Sequence, residues 1–252
     1  MRKSLAAALL SAKGTNMSRL LRLLLVAASG CVLASCSTVE TSAVKNTTRT
    51  FTTVVVDAGH GGKDNGAFRR FSGPEKAANL DVALRLAKKL RESQFKTVLT
   101  RSTDVFIPLE ERAAIGRAQS NSIFVSIHFN DSPRRRIRGF ETYYRSPAAY
   151  PLAQRIQRRL LTIRGAVNRG VRTANFRVLR RATYPSVLVE CGFLSNRTEG
   201  NDASSASYRE ELADKIAEAI VEERYGSGVY RAASGATDAA PPSDSAGGTV
   251  EP

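Results

Sequence analysis

The stretch Val54-Val55-Val56-Asp57-Ala58-Gly59-His60-Gly61-Gly62 decides how this chain is read, because three β-branched residues run into a glycine-rich turn that carries one of only two histidines. β-Branched side chains suit a packed, pleated strand, and glycine opens backbone conformations that other residues avoid. The pattern predicts a strand that delivers an imidazole at its carboxyl end, where open α/β sheets gather their reactive groups.

Working outward, Lys76 to Ser93 places Leu80, Ala83, Leu84, Ala87 and Leu90 at helical spacing. Lys96 to Arg101 then reads as a strand, Pro108 to Ser120 as a helix entered through proline, and Ser122 to His128 as a buried strand ending in the second histidine. Arg138 to Arg145 alternates like a strand, and Leu152, Ile156 and Leu160 mark a helix beneath Arg155, Arg158 and Arg159. Ser186 to Glu190 is a short apolar strand, and Tyr208 to Tyr225 again has helical spacing. This alternation predicts one α/β domain over residues 51–225, a mostly parallel twisted sheet flanked by helices on both faces, with no internal repeat.

The flanks differ in character. Residues 1–35 hold Arg2, Lys3, Lys13, Arg19 and Arg22 with no acid, followed by an apolar run from Leu23 to Leu33, which predicts a secretory signal peptide. The run is about half the ~20 residues of a spanning helix, so a transmembrane anchor is not expected. Met17 is an alternative start that would leave a compact leader. Leu33-Ala34-Ser35-Cys36 resembles the lipobox of bacterial lipoproteins, whose cysteine becomes the lipidated first residue. That resemblance implies export and attachment of Cys36 to a bacterial membrane facing the periplasm or cell envelope. Residues 36–50 are rich in Ser and Thr and predict a flexible tether, and residues 226–252, with Pro241-Pro242, predict a disordered tail.

The chain has 252 residues, 42% of them hydrophobic, enough for one core. Its 38 basic and 23 acidic residues give a formal +15. Setting aside five positive charges in the leader, one net positive in the tether and two net negative in the tail leaves +11 on residues 51–225, so the positive field belongs to the domain. Such a field suits nucleic acid, anionic lipid or a charged polymer; an exported protein does not meet nucleic acid, which is not expected as a partner. With Cys31 and Cys36 in or at the end of the leader, Cys191 is left without a partner and no disulfide framework is available.

His60, His128 and Glu190 all fall at or near strand ends, so three strands point at one place. Two imidazoles are two thirds of a catalytic zinc site, which a carboxylate completes. Glu75, at the start of the first amphipathic helix, is a candidate. A carboxylate in a first helical turn is also what the macrodipole favours by itself, and local spacing leaves both readings open.

The segments Val54 to Ala67, Glu75-Lys76, Ser126-Ile127-His128-Phe129-Asn130 and Glu190-Cys191-Gly192-Phe193-Leu194-Ser195-Asn196 resemble, in order, the motifs of the zinc-dependent N-acetylmuramoyl-L-alanine amidases, the type 3 cell-wall amidases. Thr100 to Asp104 and Gly139 to Tyr144 also resemble the family pattern. The resemblance implies one Zn2+ per chain held by His60, Glu75 and His128, with Glu190 as the catalytic carboxylate. Asn130 and Glu141 are candidates for orienting ligands or substrate. It further implies cleavage of the amide bond between N-acetylmuramic acid and L-alanine in peptidoglycan or muropeptides, for wall remodelling or cell separation, by a monomer. The competing reading is a non-catalytic, lipid-anchored peptidoglycan-binding protein, which the basic body and tether would also suit. Two positions depart from the family pattern: Ala58 stands where proline is common, and Phe129 stands where a small residue is usual and is expected to narrow the groove. Arg134-Arg135-Arg136 is read equally as a solvated face or as a contact for muropeptide carboxylates.

Overall fold

A computed structural model of the chain describes residues 44–227 and Tyr230. The leader, Cys36 and most of the expected tether and tail lie outside the described residues. No helix among the described residues is long and apolar enough to cross a membrane.

The main sheet contains β1 (Thr53–Ala58), β4 (Lys96–Leu99), β5 (Ser122–Asn130), β6 (Phe140–Tyr144), β7 (Asn168–Thr173) and β8 (Ser186–Phe193) in the order β4-β1-β5-β8-β6-β7. β6 runs antiparallel to β8 and every other pairing is parallel. A small ribbon of β2 (Phe68–Arg69) and β3 (Gly73–Pro74) leads into helix α1 (Glu75–Glu92). The remaining helices are α2 (Leu109–Arg117), α3 (Tyr150–Leu160), α4 (Arg177–Arg180), α5 (Arg197–Ser204) and α6 (Ala206–Tyr225). The expected α/β domain with a mostly parallel sheet is therefore present.

Strand alternation divides the work between the two faces of the sheet. Val54, Val56 and Ala58, Ile123, Val125, Ile127 and Phe129, and Val187, Val189 and Cys191 form the main core under α1, α3 and α6. The intervening residues Val55, Phe124 and Leu188 make a smaller apolar cluster with Val178 and Leu179 of α4 on the opposite face, where α2 also packs. Further along that second face the same alternation brings Asp57, Ser126, His128, Glu190 and Glu141 together. Helices on both faces explain why β1 is buried along its whole length, and why its sequence is a continuous run rather than an alternation.

Phe129, expected to narrow the groove, does not reach it: as the neighbour of His128 it points to the other face and is buried in the main core. The tether expected through Thr50 also ends earlier. Thr47 Oγ1 donates to Ser122 O at 2.7 Å, Lys45 N donates to Thr183 O at 2.9 Å, and Thr47 and Thr48 are buried. Thr47 docks here because the carbonyl at the amino end of β5 needs a donor, whereas Thr48 Oγ1 donates to Asn46 Oδ1 at 2.7 Å. At the other end, Gly226 closes α6 with a φ of 95°, and Tyr230, within the expected tail, lies against the core.

Candidate active site

His60 lies two residues beyond β1 in the left-handed region, at φ 60°. That conformation costs a non-glycine residue about 1–2 kcal/mol, and it is held by Arg112, whose Nη2 donates to His60 O at 2.6 Å. The same guanidinium donates to Asp57 Oδ1 at 2.8 Å, to Ala58 O at 2.6 Å and, through Nε, to Ile107 O at 2.9 Å. Asp57 is buried and also accepts from Thr100 Oγ1 at 2.7 Å and Ser126 Oγ at 2.6 Å. Arg101 ties the next carbonyls, donating to Ala58 O at 2.9 Å, Gly59 O at 2.8 Å and Lys76 O at 2.8 Å. Two buried arginines thus clamp the turn after β1 to the start of α1.

The β2–β3 ribbon returns the chain so that Glu75, the first residue of α1, enters the sheet's second face. His60 Nε2 lies 3.2 Å from Glu75 Oε2, and His128 Nδ1 lies 3.0 Å from Glu75 Oε1. The two imidazoles meet edge to face with centroids 4.9 Å apart. Glu75 also accepts from Ala67 N at 2.9 Å, Phe129 N at 3.1 Å and Asn79 Nδ2 at 3.1 Å. Two glycines permit this closeness. A Cβ on Gly59 would stand 2.3 Å from the His128 ring, and one on Gly66 would stand 2.5 Å from Glu75 Oε2.

Donor atoms of His60, Glu75 and His128 all lie within 4.8 Å of one another. Two imidazoles and a carboxylate are the donor set of a catalytic zinc site with an open fourth position, so these residues fit a zinc ion. Asp64 strengthens the fit, since its Oδ2 holds His60 Nδ1 at 2.8 Å and leaves Nε2 turned toward Glu75. Burial pulls the His60 imidazole down, but the hydrogen bond and charge of Glu75, then those of Asp64, outweigh it and push its pKa up to about 9. His128 is likewise raised, burial opposing and Glu75 prevailing. Burial raises the Glu75 carboxyl, yet the hydrogen bonds and charges of the two histidines hold it well below the usual carboxylate range.

Glu190 pairs in register with His128 on one side and with Glu141 on the other. Its Oε2 is buried without a hydrogen-bond partner among the described residues. Desolvation first, opposed by the His128 charge and reinforced by Glu75 and Glu141, pushes its pKa up to about 7. Asn130 and Glu141 touch each other, Asn130 Nδ2 donating to Glu141 Oε2 at 3.0 Å. Beside the histidines opens a cleft of about 400 Å³ with apolar walls that include Phe106, Ile107, Leu109, Phe176 and Leu188. Arg134, Arg135 and Arg136 are exposed and do not line that cleft.

The structure therefore brings His60, Glu75 and His128 into one cluster and sets Glu190, Asn130 and Glu141 beside it. Asp64 and Arg101 lie within family-like segments that assign them no role, and Arg112 lies outside those segments. Asp64, four residues after His60, carried the one local signal, a carboxylate within reach of the imidazole.

A sheet that gathers two imidazoles and a carboxylate next to a second, unpartnered carboxylate defines a hydrolase-type centre on an α/β scaffold. The family model described as N-acetylmuramoyl-L-alanine amidase matches residues 54–222, and the chain belongs to that family. It is 36% identical over 173 residues to N-acetylmuramoyl-L-alanine amidase LytC of Bacillus subtilis, covering 67% of this chain and only 35% of LytC. Among solved structures, N-acetylmuramoyl-L-alanine amidase AmiC2 of Nostoc punctiforme shares 37% identity at a TM-score of 0.65, over 68% of this chain and 95% of that one. The catalytic domain of CwlV, an N-acetylmuramoyl-L-alanine amidase from Bacillus (Paenibacillus) polymyxa var. colistinus, gives the same identity and TM-score over 68% of this chain and 97% of its own. These relatives are amidases, hydrolases acting on amide bonds.

Proposed function

We propose that this chain hydrolyses the amide bond between the lactyl carbonyl of N-acetylmuramic acid and L-alanine in peptidoglycan, with one zinc ion held by His60, Glu75 and His128. The observation that carries the reading is Glu190, whose buried Oε2 has no hydrogen-bond partner among the described residues and which stands in register with His128. Bound zinc would polarise the carbonyl and acidify a water molecule. Glu190, pushed up to about 7, suits both halves of the proton transfer. It takes a proton from the attacking water and returns it to the amide nitrogen, so that the products are a lactyl carboxyl group and a free alanine amine. Asp64 keeps the His60 ring oriented, Arg112 keeps its backbone in place, and the apolar walls of the cleft limit water around the reacting amide.

Zinc-loaded protein incubated with wall sacculi should expose new L-alanine amino termini. Glu190→Gln should keep its zinc and lose about 10²–10⁴-fold in turnover. A metal-loaded preparation that released only sugars or D-amino acids would sink the reading, and tight sacculus binding without any cleavage would favour the non-catalytic wall-binding alternative. We also propose export and lipid attachment at Cys36, supported by the charged, apolar leader and the Leu33-Ala34-Ser35-Cys36 motif. Labelled fatty acid should be incorporated in cells and lost in Cys36→Ala.

A further inference from the structure

β7 is irregular where it passes the site. Phe140 pairs with Asn168 but Glu141 pairs with Gly170, so Arg169 is an extra residue between them. In a regular strand residues three apart face opposite sides; the bulge, with Gly170 at φ 94°, breaks that rule. Asn168 stays on the core side, where its Oδ1 accepts from Gln157 Nε2 at 2.9 Å, while Arg169 and Arg172 both turn to the face of Glu190. Arg169 Nε donates to Glu141 Oε1 at 2.9 Å, and Arg172 Nε lies 3.8 Å from the same oxygen. Glu141 is only 3% exposed, and its other oxygen accepts from Asn130 Nδ2 and Tyr143 OH, each at 3.0 Å.

The buried Glu141 carboxylate thus anchors the Arg169 guanidinium directly and attracts that of Arg172, whose Nε donates to Arg169 O at 3.2 Å, and one net positive charge remains. Both anchors use Nε, and the terminal amino groups of Arg169 and Arg172 make no hydrogen bond among the described residues. The Arg169 guanidinium is further fixed 5.0 Å above the Phe193 ring. Terminal amino groups held in place by such anchoring form a prepared fork for a planar anion.

The sheet order supplies a direction. From β1 through β5, β8 and β6 to β7 the face carries His60, His128, Glu190, Glu141 and then the two arginines. If Glu190 returns its proton to the amide nitrogen, the departing peptide lies on the Glu190 side of the metal ligands and extends over β6 and β7. We propose that Arg169 and Arg172 form a subsite for a carboxylate on the stem peptide, one residue beyond the alanine whose amide is cut. Adjacent strand positions are about 5 Å apart, and a second peptide residue places its carboxylate about 7 Å from the scissile nitrogen, so the reach of an arginine side chain closes the gap. This subsite rests on the amidase reading and would make the enzyme prefer stem peptides whose second residue keeps a free α-carboxylate.

The test compares two muramyl dipeptides ending in D-glutamate whose side-chain carboxyl is blocked as an amide, one with a free α-carboxylate and the other with the α-carboxyl amidated as well. The zinc-loaded wild-type protein should cleave the acid with a kcat/KM about tenfold to a hundredfold above the amide, the worth of one charge-assisted pair. Arg172→Gln, at a side chain 54% exposed, and Arg169→Gln should each bring that ratio toward one. Arg172 guards against loss of folding, since it contributes little burial. Equal cleavage of the two dipeptides by the wild type, or an unchanged ratio in both variants, would overturn the subsite while leaving the amidase reading intact. Cleavage of neither dipeptide nor sacculi by the wild type would remove both.

Discussion

Replacing Arg112 by methionine would test how much of the His60–Glu75–His128 cluster depends on the clamp beneath it. The side chain is 2% exposed and serves four acceptors, Asp57 Oδ1 and the carbonyls of Ala58, His60 and Ile107. Methionine fills comparable space but leaves Asp57, 1% exposed, with only the hydroxyls of Thr100 and Ser126. Breaking a buried pair in this way costs about 3–5 kcal/mol. For a domain of this size that is a fall in Tm of about 6–20 °C. Because the left-handed His60 backbone also loses its anchor, zinc affinity should fall by about 10–100-fold. Urea unfolding of metal-free protein gives the first quantity, and competition with a chromogenic chelator gives the second. The double variant Asp57→Asn with Arg112→Met should recover at least half of the lost stability, since the stranded charge is gone. A loss below about 1 kcal/mol in Arg112→Met, or no recovery in the double variant, would refute the reasoning.

Asp64→Ala, at a half-exposed side chain, should leave thermal stability almost unchanged while weakening zinc binding by about 10–100-fold; equal affinity in the same chelator competition would remove Asp64 from the site. Gly59→Ala would drive a methyl group into the His128 ring, and purified protein should show a clear drop in bound zinc by elemental analysis. Because the metal-free His60 imidazole is raised to about 9, zinc loading at pH 8 should expel protons, and the calorimetric enthalpy should vary with the ionisation enthalpy of the buffer. An enthalpy independent of buffer would contradict that protonation. With Glu190 as the proposed base, kcat/KM should fall as pH drops through its pKa. With zinc bound, the charge of the metal would take the place of the one His128 gives up on becoming a neutral ligand, so the acid limb should lie below about 7 and above the ordinary 4.5. A profile flat across that interval would exclude Glu190 as the base.

The strands that could be read from the sequence are those whose packing is local in its pattern. β1, β5 and β8 announce themselves through runs of Val, Ile, Leu and Phe, although β5 continues two residues past His128 and β8 three past Glu190, beyond the ends the sequence pattern suggests. β7, Asn168-Arg169-Gly170-Val171-Arg172-Thr173, has no such pattern, because it is an edge strand, bulged and charged on one face. α5 is equally silent. It is a polar helix with Gly200 inside it, specified by Asn196 accepting from Thr198 N and Glu199 N, and by Glu199 accepting from Gly139 N and Phe193 N. Glu75 remained ambiguous because only the β2–β3 ribbon, two very short strands, decides where α1 begins in space. Arg112 looked like any charged residue on a surface helix, and its burial depends on Asp57, 55 positions away in sequence.

The docking of Thr47 fixes where the described chain enters the sheet. The described chain enters beside Ser122 and Thr183, at the amino ends of β5 and β8, whereas His128 and Glu190 stand toward the carboxyl ends of those strands. From Ser122 to His128 the strand rises ~20 Å. The entry of the described chain and the His60–Glu75–His128 cluster therefore lie at opposite ends of the sheet.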